Sequence, residues 1–276
     1  MEQGRQRHRG CDRLIDLPGA ALRAAASLMK PLRLRLCQWS LCLALVAPIF
    51  SSHAHKIHAQ EDAWTERTQA CTACHGEQGR AGPDGYYPRL AGKPAGYLHH
   101  QLRNFAEGRR HYGLMTRLID PLSDAYLGEI AQHFANLQLP YPAATPSRLS
   151  PERLARGQQL VRRGDPERGL PACESCHGER LMGVQPNVPG LLGLPLDYLN
   201  AQLGAWQTGQ RRALAPDCMA EVVKRLPHED IVAISHWLAS QSPPTDTRPA
   251  SQPPRTSPLQ SEFRCGSAPE LRQGRP

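Results

Sequence analysis

The chain has 276 residues, enough for one large domain or two of ordinary size, but only 5% of them are aromatic, beside 26 prolines and 23 glycines. This composition is thin for a single large hydrophobic core and favours small domains. The net charge of +8 does not indicate a nucleic-acid-binding protein, because residues 1–59 carry nine Lys and Arg against three Asp and Glu, whereas residues 60–240 carry 19 of each sign.

The N-terminal region has the pattern of an export signal. Arg33 and Arg35 precede an uncharged apolar run over residues 36–50, which small and polar residues follow. This run is shorter than the roughly 20 residues that a membrane-spanning helix needs. We therefore predict an N-terminal extension and signal peptide within residues 1–59 and a periplasmic mature protein, with an uncleaved, membrane-anchored form as the alternative.

Two segments after the signal are copies of each other. Five landmarks recur in the same order, with an offset of about 102 residues. They are a CxxCH motif, a proline, an apolar helical stripe, an arginine pair and a methionine: Cys71–His75, Pro88, Tyr97–Phe105, Arg109–Arg110 and Met115 in the first copy, and Cys173–His177, Pro189, Tyr198–Trp206, Arg211–Arg212 and Met219 in the second. The repetition indicates an internal duplication.

The periodicity is helical throughout. Apolar residues spaced by three or four predict helices over 97–105 and 198–206. Ser123 is expected to cap a helix that runs to about Leu137, and Ser150 followed by Pro151 predicts a helix to about Arg162. Since no run alternates with period two, we predict an all-α fold.

Proline-rich segments divide the chain. Residues 140–146 contain three prolines and predict a short, stiff linker between domains at 60–140 and 147–240. Residues 241–276 contain eight prolines and few apolar groups, which predicts a disordered tail.

The two CxxCH motifs predict covalent attachment of haem. Two thiols on one helical turn can add to the two vinyl groups of haem, and the adjacent His can then bind the iron. We therefore assign Cys71, Cys74, Cys173 and Cys176 to the attachment of two haem c groups. Structural zinc is disfavoured because the pairs lie about 100 residues apart, where roughly 15–20 is usual, and a thioredoxin-like redox pair is disfavoured because no βαβ pattern surrounds it.

The axial ligands of the iron follow from the repeat. His75 and His177 are the proximal ligands, and Met115 and Met219, at matched distances, are the predicted sixth ligands; the alternative is that both methionines are core residues. Pro88 and Pro189 are placed to accept a hydrogen bond from the second ring nitrogen of each His. Ligation of either iron by two histidines is disfavoured, because no other His recurs at the same offset in both copies.

With these residues in view, the sequence resembles the class I cytochromes c, and specifically their tandem dihaem type, the cytochrome c-four subgroup. The resemblance covers about residues 64–240 and is carried by CTACHG and CESCHG, by YYPRLAGKPAGYLHHQLRNFAEGRR and by GQQLVRRGDPERGLPACESCHG. It implies two tandem all-α domains, each wrapped around a haem, a periplasmic location, and electron transfer to or from membrane respiratory complexes such as a terminal oxidase. It carries the same eight Cys, His and Met ligand roles onto this chain.

The second copy departs from this family pattern. It lacks the glycines that the first copy keeps as Gly79, Gly82 and Gly85, and Cys218 directly precedes the expected ligand Met219. Cys218 can pair with Cys265 in the tail or remain an inert thiol, and the sequence does not decide between the two.

Three functions are compatible with two attached haems. The leading prediction is an electron carrier in the respiratory chain that is not an enzyme and takes neither nucleic acid nor a small-molecule substrate. A cytochrome subunit dedicated to one dehydrogenase or oxidase is the first alternative. A dihaem peroxidase is the second, but it needs an iron that is open or ligated by His only, and both methionines oppose it.

Overall fold

Among the described residues, the first half, which precedes the linker at 140–146, is built from four helices. The computed structural model describes residues 63–255 and 258–273, so the predicted signal segment lies outside the described residues. After a helical turn at 63–67, the helices are α1 (Gln69–His75), α2 (Ala95–Ala106), α3 (Gly113–Ile119) and α4 (Asp124–Asn136). The predicted cap of α4 is confirmed, because the Ser123 hydroxyl accepts a hydrogen bond from the Tyr126 amide at 3.3 Å.

The second half, which follows the linker, repeats this order with two additions: a long helix before its CxxCH motif and a short β-ladder after it. Its helices are α5 (Pro151–Arg163), α6 (Glu174–His177), α7 (Leu196–Gln207), α8 (Cys218–Val223) and α9 (His228–Ala239). Two residues each from β1 (Gly183–Val184) and β2 (Val188–Pro189) pair antiparallel. The prediction of an all-α fold is confirmed, and this two-residue ladder is the strand content of the described residues.

Close packing of α5 against α9 forms the core of the second half. At the crossing, a Cβ atom on Gly157 would lie 2.2 Å from the carbonyl oxygen of Ala233, so only glycine allows this approach. The apolar face of α9 is buried there, with Ile231 and Leu238 each 2% exposed. In the first half α2 packs on α4, where Phe134 is 1% exposed.

The two halves meet through equivalent residues of the repeat. Arg110 and Arg211 pair as an isolated antiparallel β-bridge. The side-chain oxygen of Gln101 accepts a hydrogen bond from Arg110 at 3.0 Å and from Arg211 at 3.1 Å, and that of Gln202 accepts from the same two residues at 2.7 and 2.8 Å. Each half thus contributes one glutamine and one arginine to a symmetric contact, which we call the Gln–Arg lock.

The segment between the halves is extended and anchored. Arg89, which is 2% exposed, donates to the carbonyl oxygens of Leu139 and Pro140, and its guanidinium lies 4.0 Å from the ring centroid of Tyr141. The Thr145 amide donates to the carbonyl oxygen of Ala239. The linker is therefore fixed to both halves.

The prediction of a disordered tail is wrong for the described residues beyond 240. Ala250 forms a parallel bridge with Val184, and α10 (Pro258–Ser261) and a 3₁₀ turn (Pro269–Gln273) follow. Cys265 forms a disulfide with Cys218. The low apolar content of the tail misled the composition argument, because a covalent link and a few buried side chains replace a core of its own.

Within residues 63–255 and 258–273, no helix has both the length and the apolar character required to cross a membrane.

Candidate functional site

Both motif histidines are buried and oriented by a backbone carbonyl. The Nδ1 atom of His75 lies 2.8 Å from the carbonyl oxygen of Pro88, and that of His177 lies 2.8 Å from the carbonyl oxygen of Pro189. The predicted role of the two prolines is thus confirmed. With Nδ1–H donating to the carbonyl, the Nε2 atom is left as the free acceptor that a metal requires.

Burial favours the uncharged form of these imidazoles. Each of the two histidines is 7% exposed. Desolvation lowers the pKa of His75 and of His177, although the bond to the proline carbonyl opposes the effect in both. A neutral imidazole is the form that binds a metal ion.

The turn after each histidine depends on glycine. Gly76 and Gly178 end their helices with φ angles of 74° and 85°, a left-handed region that residues with a Cβ atom rarely adopt. A Cβ atom on Gly76 would also lie 2.5 Å from the carbonyl oxygen of Ala81. The sixth residue of the CxxCHG motif therefore allows the chain to turn back toward the proline that orients the imidazole.

The motif cysteines differ in exposure between the halves. Cys71, Cys173 and Cys176 are half-buried, whereas Cys74 is exposed, and none of the four is in a disulfide. Burial raises the pKa of Cys173 to about 12 and that of Cys176 to about 11. The apolar neighbours of Cys173 and Cys176 suit attachment to the edge of an apolar macrocycle.

A large pocket opens beside His177. Its empty space is about 1450 Å³, including the mouth that is open to solvent. Cys173, Cys176, His177 and Met219 all line it. The rest of the lining is mostly apolar and includes Leu194, Leu199, Leu203, Val222, Val223, Ile234 and Leu238.

Two buried cations border the same pocket. Lys93 and Arg211 are each 5% exposed and line it. Burial lowers the pKa of Lys93 to about 8, and burial together with the nearby charge of Arg110 lowers the pKa of Arg211. The acid in the lining, Asp217, is already engaged by Trp206 Nε1 and the Ala213 amide. The apolar walls, the thiols, the free Nε2 and the two cations fit a haem, which has an apolar ring and two carboxylates.

The structure positions the two predicted methionine ligands differently. Met219 is the second residue of α8 and lines the pocket that holds His177. Met115 lies in α3 and packs against the cluster of Phe105, Ile119 and Leu127. Met182, the other methionine near the second motif, is buried in the core at 3% exposure. Ligation of iron by Met115 and Met219 stays a prediction.

Aromatic side chains surround the first motif. The ring centroid of Tyr87 lies 6.0 Å from that of His75, and its hydroxyl lies 3.1 Å from that of Tyr112. Tyr86, whose ring centroid lies 5.0 Å from that of Tyr87, and Leu114, which precedes Met115 in α3, are each 58% exposed. The first site is thus bordered by exposed apolar groups.

Sequence reasoning missed three parts of the sites: Lys93, the Gln–Arg lock and the tail. The lock had a signal, because Gln101 and Gln202 occupy the same position in two otherwise apolar stripes. Lys93 had none, because it has no counterpart in the other copy, and the only sequence signal for the tail was Cys265 as a possible partner of Cys218.

Sequence comparison finds relatives over most of the described chain, whereas no protein-family model matches. The chain is 39% identical over 183 residues to the "thiosulfate dehydrogenase electron acceptor" of Thiomonas intermedia, which spans 66% of this chain and 82% of that protein. It is 33% identical over 185 residues to cytochrome c4 of Pseudomonas aeruginosa, spanning 66% of this chain and 89% of that protein.

Solved structures agree with the sequence relatives. Reduced recombinant cytochrome c4 from Pseudomonas stutzeri superposes with a TM-score of 0.56 at 30% identity, covering 66% of this chain and 98% of that one. Thiosulfate dehydrogenase (TsdBA) from Marichromatium purpuratum superposes with a TM-score of 0.57 at 32% identity, covering 62% of this chain. The match spans only 36% of the length of that second chain, so about two thirds of it has no counterpart here.

Proposed function

The chain belongs to the cytochrome c4 family of dihaem class I cytochromes and is an electron-transfer protein with two c-type haems rather than an enzyme, and from this premise we propose that it carries electrons in the periplasm from a dehydrogenase to a membrane respiratory complex. The relatives named as electron acceptors of thiosulfate dehydrogenase favour such a donor. We propose residues 60–140 and 147–240 as the two haem-binding domains.

Eight residues would hold the haems in this proposal. Cys71 and Cys74 attach the first and Cys173 and Cys176 the second, while His75 with Met115 and His177 with Met219 bind the two irons. When bound, each haem exchanges one electron between its ferric and ferrous forms. The observation that supports this assignment most is the pocket in which His177, oriented by Pro189, and Met219 line the same apolar space.

The chain's own residues would set the properties of each centre. The proline carbonyls keep the imidazoles in one orientation, and the apolar walls exclude water from the pocket beside His177. The Gln–Arg lock holds the two halves in contact, which favours electron transfer between the centres. Lys93 and Arg211 would neutralise carboxylates of the second haem.

The disulfide supports a periplasmic location. Disulfides persist in oxidising compartments such as the periplasm and are rare in the cytosol. The Cys218–Cys265 bond therefore agrees with the export signal proposed for residues 1–59.

Electron transfer from a purified thiosulfate dehydrogenase tests the donor. The oxidised holoprotein is mixed with the dehydrogenase and thiosulfate, and the α-band absorbance of the reduced haems is followed. We expect both haems to be reduced, and we expect no reduction in a control without the dehydrogenase. Reduction by ascorbate without any reduction by the dehydrogenase system would contradict this donor, while reoxidation by respiratory membranes tests the acceptor separately.

A further inference from the structure

The C-terminal tail forms part of the second haem pocket. Its residues Phe263, Cys265, Ser267, Ala268 and Leu271 line the same space as His177 and Met219. Cys265, Ala268 and Leu271 are only 6–8% exposed. They pack against Val184 and Val188 and against Cys176, one of the two haem-attaching cysteines. The tail is thus a wall of the pocket.

Polar contacts fasten this wall to the second half without help from the disulfide. The Glu270 carboxylate accepts hydrogen bonds from the Asn187 amide at 3.1 Å and from its side chain at 3.0 Å. Asp246 pairs with Arg180 at 2.8 Å. Ala250 exchanges backbone hydrogen bonds with Gly183 and Gln185. The tail is therefore attached at several places along its length.

The fit of the tail against the loop before Met219 is close. The Gly266 amide donates to the carbonyl oxygen of Pro216 at 2.9 Å. A Cβ atom on Gly266 would lie 2.2 Å from the carbonyl oxygen of Ala215, so another residue there would displace the chain. This contact lies only three residues before Met219.

The disulfide joins the tail to the residue beside the expected iron ligand. Cys218 is the first residue of α8 and Met219 the second, and Cys265 lies 47 residues further along the chain. A backbone movement that withdraws Met219 from the pocket would also displace Cys218 and, through the disulfide, the tail. The bond therefore restrains the backbone that carries the ligand.

Among the residues that the structure describes, no disulfide-linked segment covers the first site in this way. The position that corresponds to Cys218 in the repeat is Leu114, which is 58% exposed, and the counterpart of Cys176 is the exposed Cys74. The two sites, similar in their ligands, thus differ in what covers them. Within the described part of the chain, this difference comes from Cys218 and from the tail residues that pack beside Cys176.

We propose that residues 246–255 and 258–271 form a built-in cap that closes the second haem pocket, and that the Cys218–Cys265 disulfide makes Cys218 and Cys265 positioning residues for Met219. This inference rests on the proposed ligation of iron by Met219. The cap keeps Met219 on the iron and external ligands out, whereas the first haem stays the more accessible of the two.

Displacement of the methionines by imidazole tests the cap. The holoprotein is titrated with imidazole, and the methyl signals of the iron-bound methionines are followed by NMR, after assignment with Met115→Leu and Met219→Leu variants. Two variants break the disulfide: Cys265→Ser, and Cys218→Ser/Cys265→Ser, which leaves no free thiol there. In both, we expect the Met219 signal to disappear at an imidazole concentration at least about tenfold lower than in the unmodified protein. The Met115 signal should be unchanged, and Arg272→Ala, an exposed substitution in the same tail, is the matched control.

The outcomes separate the cap from the ligation itself. An unmodified holoprotein without an iron-bound Met219 signal would overturn both the proposed ligation and the cap. A normal Met219 signal whose displacement is the same in all variants would overturn the cap alone. Equal sensitisation of Met115 and Met219 would also overturn it, because a local cap cannot act on the first haem.

Discussion

Arg110 and Arg211 form an antiparallel β-bridge at the junction of the two halves, although both side chains carry a positive charge. Two neutral acceptors make this contact tolerable, because the Gln101 and Gln202 side-chain oxygens each accept a hydrogen bond from both guanidinium groups. Each guanidinium also lies over an aromatic ring of its own half, Arg110 over Phe105 at 4.5 Å and Arg211 over Trp206 at 3.8 Å.

The lock predicts that Gln202 is needed for stability. Gln202→Ala removes two hydrogen bonds to charged donors and leaves the buried Arg211 without its nearest acceptor. We expect the free energy of unfolding to fall by about 2 kcal/mol, as measured by denaturant titration of the holoprotein. The control Gln132→Ala, on an exposed face of α4, should cost less than about 0.5 kcal/mol. Equal effects of the two substitutions would contradict the role of the lock.

The helix crossing predicts opposite effects of alanine at two helical glycines. Gly157→Ala puts a Cβ atom against the Ala233 carbonyl where α5 meets α9, and we expect a loss of about 1–3 kcal/mol in the free energy of unfolding. In α4, Gly128→Ala meets nothing within 4 Å and should stabilise by about 0.5–1 kcal/mol through helix propensity. Thermal unfolding of both variants is the measurement, and a stabilising Gly157→Ala would contradict the packing described.

An ion-pair cluster predicts acid sensitivity of the second half. Arg156 and Arg168 both donate to Asp230, whose side chain is 6% exposed. Burial raises the pKa of Asp230, but the two arginines more than offset this, so the pKa lies below its ordinary value. A carboxyl with a depressed folded pKa stabilises the protein above its unfolded pKa of about 4 and loses that contribution as the pH falls further.

The variant Asp230→Asn tests this cluster. At pH 7 we expect the variant to be less stable than the unmodified protein by about 2 kcal/mol, because the arginines lose a charged acceptor. The difference should shrink as the pH falls below about 4, because the carboxyl of the unfolded chain then binds a proton while that of folded Asp230 stays ionised to a lower pH. Denaturant titrations between pH 7 and pH 3 measure it, and a difference that stays constant over this range would refute the assignment.

We predict that removal of the disulfide lowers the stability of the protein, in addition to its effect on ligand access. The disulfide closes a segment of 47 residues, and in the chain-entropy account this stabilises the folded protein by up to about 4 kcal/mol. Cys218→Ser should therefore lower the midpoint of thermal unfolding, and treatment with a dithiol should lower that of the unmodified protein to the same value. A midpoint that neither change alters would show that the bond contributes nothing to stability.

Much of the fold and of the sites could be predicted because the chemistry recurs at fixed spacing. The CxxCH motifs, the prolines that orient the histidines and the capped helix after Ser123 are local patterns, and each could be identified within about 15 residues of sequence. The duplication then supported every landmark a second time. This is why Pro88 and Pro189 could be assigned before their carbonyls were located.

The remaining features depend on contacts between distant parts of the chain. Three of them join segments that lie far apart in sequence. Lys93 lines the pocket of the other half, and Gln101 and Gln202 each accept hydrogen bonds from arginines of both halves. Cys218 forms a disulfide with Cys265. Composition described the tail as unable to fold alone, which is compatible with a segment that folds only against the second half. No local pattern reports such packing.

The most direct test of the central claim is a redox titration of the purified holoprotein combined with near-infrared spectroscopy of its ferric form and exposure of its reduced form to carbon monoxide. We predict two haems per chain, a methionine–iron charge-transfer band that Met115→Leu and Met219→Leu each reduce by about half, and no binding of carbon monoxide. A single haem, a missing methionine–iron band, or ready binding of carbon monoxide to either reduced haem would contradict the account of a six-coordinate dihaem electron carrier.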